Sequence, residues 1–105
     1  MSMERARFGI GQPIHHRIFD YREVIFDLDA TFQGEEEWYE LVAKTRPPKD
    51  KPWYHFLVHE AVHTTYVSEQ NLEPDLTGHP VEHPALMNFF DDFRDRIYQR
   101  NEQSN

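Results

Sequence analysis

The sequence predicts a mainly β fold: a small β-barrel with a short inserted helix and a C-terminal amphipathic helix. Three observations lead there. Several short runs alternate apolar and polar residues at period two. One segment places acids ahead of apolar residues in the manner of a helix start. The last apolar stripe has helical spacing. At 105 residues the chain is one domain long, with the barrel over roughly 8–80 and the terminal helix over roughly 84–99. Periodicity alone leaves an SH3-like and an OB-like barrel both open.

The first strand is expected over about Gln12–Phe19, with Ile14, His16 and Ile18 on one side. A turn at Phe19-Asp20-Tyr21 leads to a second strand, Arg22–Leu28, with Val24, Phe26 and Leu28 on one face and Ile25 on the other. Gly34–Val42 opens on three glutamates and reads as a short helix. Three prolines between Arg46 and Pro52 stop it and form a stiff loop. Trp53–His59 is the clearest strand. Trp53, His55 and Leu57 alternate with Tyr54, Phe56 and Val58, so both faces expect cover, from the barrel interior and from a helix or a partner. A turn at 60–63 precedes a strand at Thr64–Val67. Glu69–Leu72 reads as a single helical turn stopped by Pro74, and Gly78 and Pro80 mark a further loop. His83-Pro84 then opens the terminal helix, whose stripe is Leu86, Phe89, Phe90, Phe93 and Ile97. Asn101–Asn105 is expected to fray. Ile14, Val24, Phe26 and Phe56 are the expected core.

Composition narrows the functions open to the chain. Eight Phe, five Tyr and two Trp supply enough apolar area for a packed core. With no Cys there is no disulfide, thiolate nucleophile or Cys-based zinc site. No apolar run approaches the roughly 20 residues of a membrane span, and the N-terminal residues lack the apolar segment of a signal peptide. No membrane partner is therefore expected, and the location is read as cytoplasmic. The net charge is −8, with seven acids between residues 23 and 40. Such a field repels phosphate backbones, so a nucleic acid would have to use the local basic stretches at 1–22 and 41–52.

The usual parts of an active site are missing. His55, His59 and His63 are spaced by four, as are His79 and His83. On a strand such positions lie about 13 Å apart, too far to share one ion. Asp27 and Asp29 share a strand face but read as a solvated strand end rather than an acid–base pair. No phosphate loop, nucleophile elbow or HExxH motif is present. The expectation is a non-enzymatic protein without metal or cofactor that binds macromolecules, chiefly proteins. The stretch 15–22 offers a second reading, with His15, His16, Arg17 and Arg22 as DNA contacts and Phe19 or Tyr21 for stacking.

Several segments together resemble one family. They are Phe8-Gly9-Ile10-Gly11-Gln12, His16-Arg17-Ile18-Phe19, Tyr21-Arg22 leading into Val24–Asp29, Glu36-Glu37-Trp38-Tyr39, Arg46-Pro47, Lys49-Asp50, Pro52-Trp53-Tyr54-His55, Tyr66–Leu72 with Pro74-Asp75, and His83-Pro84. In this order they are similar to the heat-shock protein HspQ family, also known as the hemimethylated-DNA-binding or YccV-like domain. The resemblance covers roughly residues 8 to 84. It implies a small SH3-like barrel in the bacterial cytoplasm and a homo-oligomer, with a trimer as one form. It implies modulation of the Lon protease, promoting turnover of denatured or selected proteins such as the replication initiator DnaA, and alternatively binding to hemimethylated DNA. Glu23 stands where the family pattern has Gly, and Ala30 where it has Pro. No family motif marks the residues that touch a protease. The exposed candidates are Tyr21, Arg22, Trp53, His55, Tyr66, Glu69, Gln70 and Asn71. Trp53 and Tyr66 also suit a core, and Glu69 and Asn71 also suit turn stabilisation.

Overall fold

The computed structural model describes residues 6–43 and 45–101. The expectations about the first residues and about fraying beyond residue 101 fall outside that range. β1 (Pro13–His16), β2 (Arg22–Asp29), β3 (Trp53–Val58), β4 (Thr64–Ser68) and β5 (Leu72–Pro74) form an antiparallel sheet in the order β4-β3-β2-β1-β5. The first strand is shorter than expected. It ends at His16 because residues 17–20 turn, with Asp20 in the left-handed region at φ 58. Ile18 therefore leaves the His16 face and stands 50% exposed.

β4 and β5 are the two edges of the sheet, yet only a 3-10 turn, Glu69–Asn71, separates them in the chain. The sheet must curl to bring its edges that close. Val67 of β4 and Leu72 of β5 accordingly share an inner core with Phe8, Ile14, Ile25, Tyr54 and Phe56. No ladder joins the two edges, so the sheet is curled but not closed into the expected barrel.

The second strand does not keep one face throughout. Ile25 pairs with Phe56 and Asp27 with His55, which leaves Phe26 as the extra residue of a bulge. Before it, Val24 and Phe26 pack outward. After it, Leu28 joins Ile25 on the inner side. The expected core set therefore splits, with Ile14 and Phe56 inside and Val24 and Phe26 outside. β3 alternates as expected and is covered on both faces.

The outer cover is not a helix. After a 3-10 turn at Leu86–Asn88, the chain forms a hairpin of β6 (Phe90–Arg94) and β7 (Ile97–Arg100). Asp95 and Arg96 at its tip both have positive φ, 56 and 65, which gives a two-residue turn matched to strand twist. Helical spacing predicts a stripe from Leu86 to Ile97. The hairpin instead sends Phe90 and Tyr98 onto Val24, Leu57 and Val81, and leaves Ile97 38% exposed. Burial of these rings against the sheet outweighs a local preference that is weak for Phe, Asn and Asp. Tyr98 N–H donates to the Gly11 carbonyl at 2.8 Å. A side chain at Gly11 would start 2.1 Å from the Tyr98 carbonyl oxygen, at a φ of 92, so that contact requires glycine.

The inserted helix α1 (Glu36–Val42) forms where expected, with Glu36 and Glu37 in its first turn. Tyr39 buries beneath it and donates to the Pro47 carbonyl at 2.6 Å. Lys49 pairs with Glu36 and lies 4.3 Å from the Tyr39 ring. These contacts fold the proline loop back onto the helix and set α1 beside the outer face of β4.

Candidate functional site

Where the outer hairpin ends, the sheet carries an aromatic cluster. Trp53 from β3 and Tyr66 from β4 lie 5.2 Å apart between ring centres. Phe32 lies 4.8 Å from Trp53, and Trp38 lies 5.9 Å from Tyr66. Rings this close fill the space between them, so the cluster is a packed wall rather than an open cage. Its polar ends are fixed. The Tyr66 hydroxyl donates to Asp29 at 2.7 Å and accepts from the Gln33 N–H at 3.0 Å. His55 Nε2 meets the same Asp29 oxygen at 3.1 Å, and Trp53 Nε1 donates to the Pro48 carbonyl at 3.0 Å. Burial pushes the Tyr66 hydroxyl well up, Gln33 works against that and Asp29 adds to it, so the group stays a protonated donor.

A groove of about 1070 Å³ runs along β4. One wall is α1 with its flanks, through Trp38, Val42 and Pro47. The other is the turn between β1 and β2, through His16, Ile18, Phe19 and Tyr21. Apolar side chains stand open at both rims, with Phe19 68% and Val42 51% exposed. His16 holds the second wall. Its ring is buried, stacks on Phe19 at 4.8 Å and lies 5.0 Å from Tyr21. Its Nδ1 accepts the Ile18 and Phe19 N–H groups, each at 3.2 Å. Burial, helped by the neighbouring His15, lowers its proton affinity, which suits that accepting role.

The floor of the groove is a strand edge. Glu69 N–H bonds the Pro52 carbonyl at 3.1 Å, and the antiparallel register pairs Ser68 with Trp53, Tyr66 with His55 and Thr64 with Leu57. Ladder bonds alternate along such a pair. Val67 and Thr65 therefore turn their backbone groups to β3, and Thr64, Tyr66 and Ser68 turn theirs away from it, Thr64 and Tyr66 toward the groove and Ser68 in a buried position. The Ser68 hydroxyl is buried there without a hydrogen-bond partner among the described residues. Behind the edge, Glu23 is fully buried on the inner face and accepts from the Thr65 hydroxyl at 3.1 Å.

The groove brings together five of the eight protein-contact candidates: Tyr21, Trp53, His55, Tyr66 and Asn71. Trp53 is not the exposed residue expected but is 1% exposed, a wall of the site rather than a contact point. The other three do different work. Arg22 pairs with Asp75 at 2.8 Å and caps the His79 and Pro80 carbonyls. Glu69 accepts from the Tyr54 hydroxyl and from Arg7 N–H. Gln70 is exposed and its carbonyl accepts from Arg17. Ile18, Val42 and Thr64 line the groove but were not among the candidates. Adjacent apolar residues next to a turn, Ile18-Phe19, were the one sequence signal for them.

The DNA-contact candidates do not form a common basic surface. His15 sits between Asp20 and Glu73, 2.6 Å from each, and hydrogen bonds to both carboxylates raise its pKa. His16 is buried, and Arg22 is held by Asp75, while Arg17 is exposed. Among the described residues no group of three or more His, Asp or Glu side chains could hold a metal ion. No helix among them is long and apolar enough to cross a membrane. A family model described as "Hemimethylated DNA-binding protein YccV like" matches residues 6–97.

Proposed function

The chain belongs to the YccV-like family, and from that premise we propose that it is a non-enzymatic, protein-binding modulator of ATP-dependent proteolysis. It acts in the cytoplasm, presents selected or denatured proteins to the Lon protease, and counts the replication initiator DnaA among its clients. Self-association, with a trimer as one form, and an SH3-like reading of the curled sheet belong to the same proposal. The strand order and the 3-10 turn between β4 and β5 support that fold reading.

The observation that carries the functional reading is the groove beside β4, which joins apolar rims to a strand edge with unused backbone groups. Other polypeptides bring what such a site lacks, apolar side chains and hydrogen-bonding backbone. The test is degradation of an unfolded client and of DnaA by purified Lon, with and without this protein. Faster turnover is expected. Unchanged turnover of every client tried would overturn the reading.

The family description favours a second reading, a hemimethylated-DNA-binding module. The net charge of −8 and the carboxylates flanking His15 weigh against it. Titrating methylated, hemimethylated and unmodified duplexes near physiological salt decides. Tight binding that prefers the hemimethylated duplex would establish it, and binding that disappears at that salt would remove it.

A further inference from the structure

We infer that the free edge of β4 takes up an extended, apolar segment of a client protein as an additional strand of the sheet. This deepens the protein-binding reading and rests on it. The backbone defines the occupant first. Thr64 and Tyr66 direct N–H and C=O groups into the groove, and only another extended chain can meet them in register.

The walls define its side chains. A strand added beside β4 sends alternate residues to opposite faces. One set meets the turn wall at Ile18, Phe19 and Tyr21, and the other meets Trp38 and Val42. Apolar walls on both sides select a segment that is apolar at successive positions, not merely at every second one. Folded proteins keep such segments buried, and unfolding exposes them.

Charge separates the possible occupants. Asp29 and Glu35 line the groove, and among the described residues no Lys or Arg does. The site thus favours a neutral or basic segment and disfavours an acidic one. A second copy of this chain, at −8, is a poor match. A nucleic-acid backbone is a worse one.

The probe is a fluorescent peptide as long as β4, with a Val/Phe core flanked by lysines, titrated against the full chain by anisotropy. Saturable binding is expected, together with slowed amide exchange at Thr64 and Tyr66. Methylating alternate backbone nitrogens of the peptide leaves its side chains in place but removes its donors, and binding should be lost. Thr64→Pro removes one edge donor at the first residue of the strand without touching the β3 ladder. It should weaken binding about tenfold with the melting temperature unchanged. Val42→Asp should weaken binding through the wall alone, which keeps the test open if the proline variant misfolds. Equal affinity for the methylated and unmethylated peptides would overturn the inference. So would a self-associated form that Thr64→Pro dissolves, since the edge would then belong to a second copy. If Lon stimulation survives while the peptide fails to bind, the strand addition is wrong and the proteolytic reading stands. If the peptide binds as described but no client's turnover changes, the reverse holds.

Discussion

The Thr65 hydroxyl donates to Glu23 Oε1 at 3.1 Å and so ties β4 to β2 across the intervening β3. Glu23 is fully buried on the inner face, and its second oxygen has no partner among the described residues. Burial pushes its carboxyl up from 4.5 to about 8, with the Thr65 bond working against the rise. The neutral acid is therefore the form the fold prefers. Its contribution to stability is complete below pH 4.5 and is lost as the pH rises toward 8, at up to about 1.4 kcal/mol per unit. Glu23→Gln should flatten the profile and leave the protein more stable at pH 9. Urea unfolding from pH 5 to 9 tests this, and identical slopes for the two proteins would refute it.

Arg22 and Asp75 form a largely buried pair, with the Asp75 side chain only 3% exposed. Burial disfavours the Asp75 carboxylate, but Arg22 and the two Thr77 donors outweigh it and hold the carboxyl below 3.8. Asp75→Asn should cost about 3 kcal/mol, because it strands a guanidinium beside the sheet. The pair's contribution is present above pH 3.8 and should fade as the pH falls below it. Denaturant midpoints of wild type and variant should converge in acid. If Asp75→Asn unfolds at the wild-type midpoint at neutral pH, the pair is not structural.

His16 gives the groove wall its own pH response. Its lowered pKa means that neutral imidazole stabilises the turn, fully above 6.5 and progressively less as the pH falls beneath it. Protonation at Nδ1 would break the bonds from Ile18 and Phe19. Amide protection at these two residues should therefore drop as the pH falls below 6.5, while protection in β3 persists. Parallel loss across the sheet would indicate global unfolding instead.

Tyr98 anchors the outer hairpin. Its hydroxyl accepts from the Val81 N–H and donates to the Val81 carbonyl, both at 2.9 Å. Tyr98→Phe keeps the ring against Phe90 but leaves two buried backbone groups unmet, and should cost about 2 kcal/mol. Val81→Ala, which keeps those bonds, should cost about 1 kcal/mol for lost packing. Calorimetry on both variants checks the order, and an equal loss would mean that packing alone holds the hairpin.

Much of the sheet was legible because period-two alternation over Trp53–Val58 and Thr64–Val67 is a direct consequence of pleat geometry. α1 was legible from its leading glutamates and the prolines after it. The break at Phe26 was not, since a bulge adds one residue without changing residue type. The terminal hairpin was misread because Leu86, Phe89, Phe90, Phe93 and Ile97 fit a helical stripe as well as they fit anything local. Two residues of the cluster that Phe90 joins, Val24 and Leu57, lie far away in the chain. Tyr21, Trp53, His55, Tyr66 and Asn71 were named from the sequence and line the groove, while Val42 and Thr64 line it without having been named. Their role comes from a groove between elements that no single segment contains.

The sequence by itself determined the β character, the helix position and a charge that disfavours phosphate backbones, because each follows from local spacing or from a sum over residues. Tertiary structure decided which face Leu28 takes, whether the last segment coils or pairs, and which strand is left at the edge. Those choices depend on competition among distant apolar surfaces for burial, and that competition has no signature until the chain has folded.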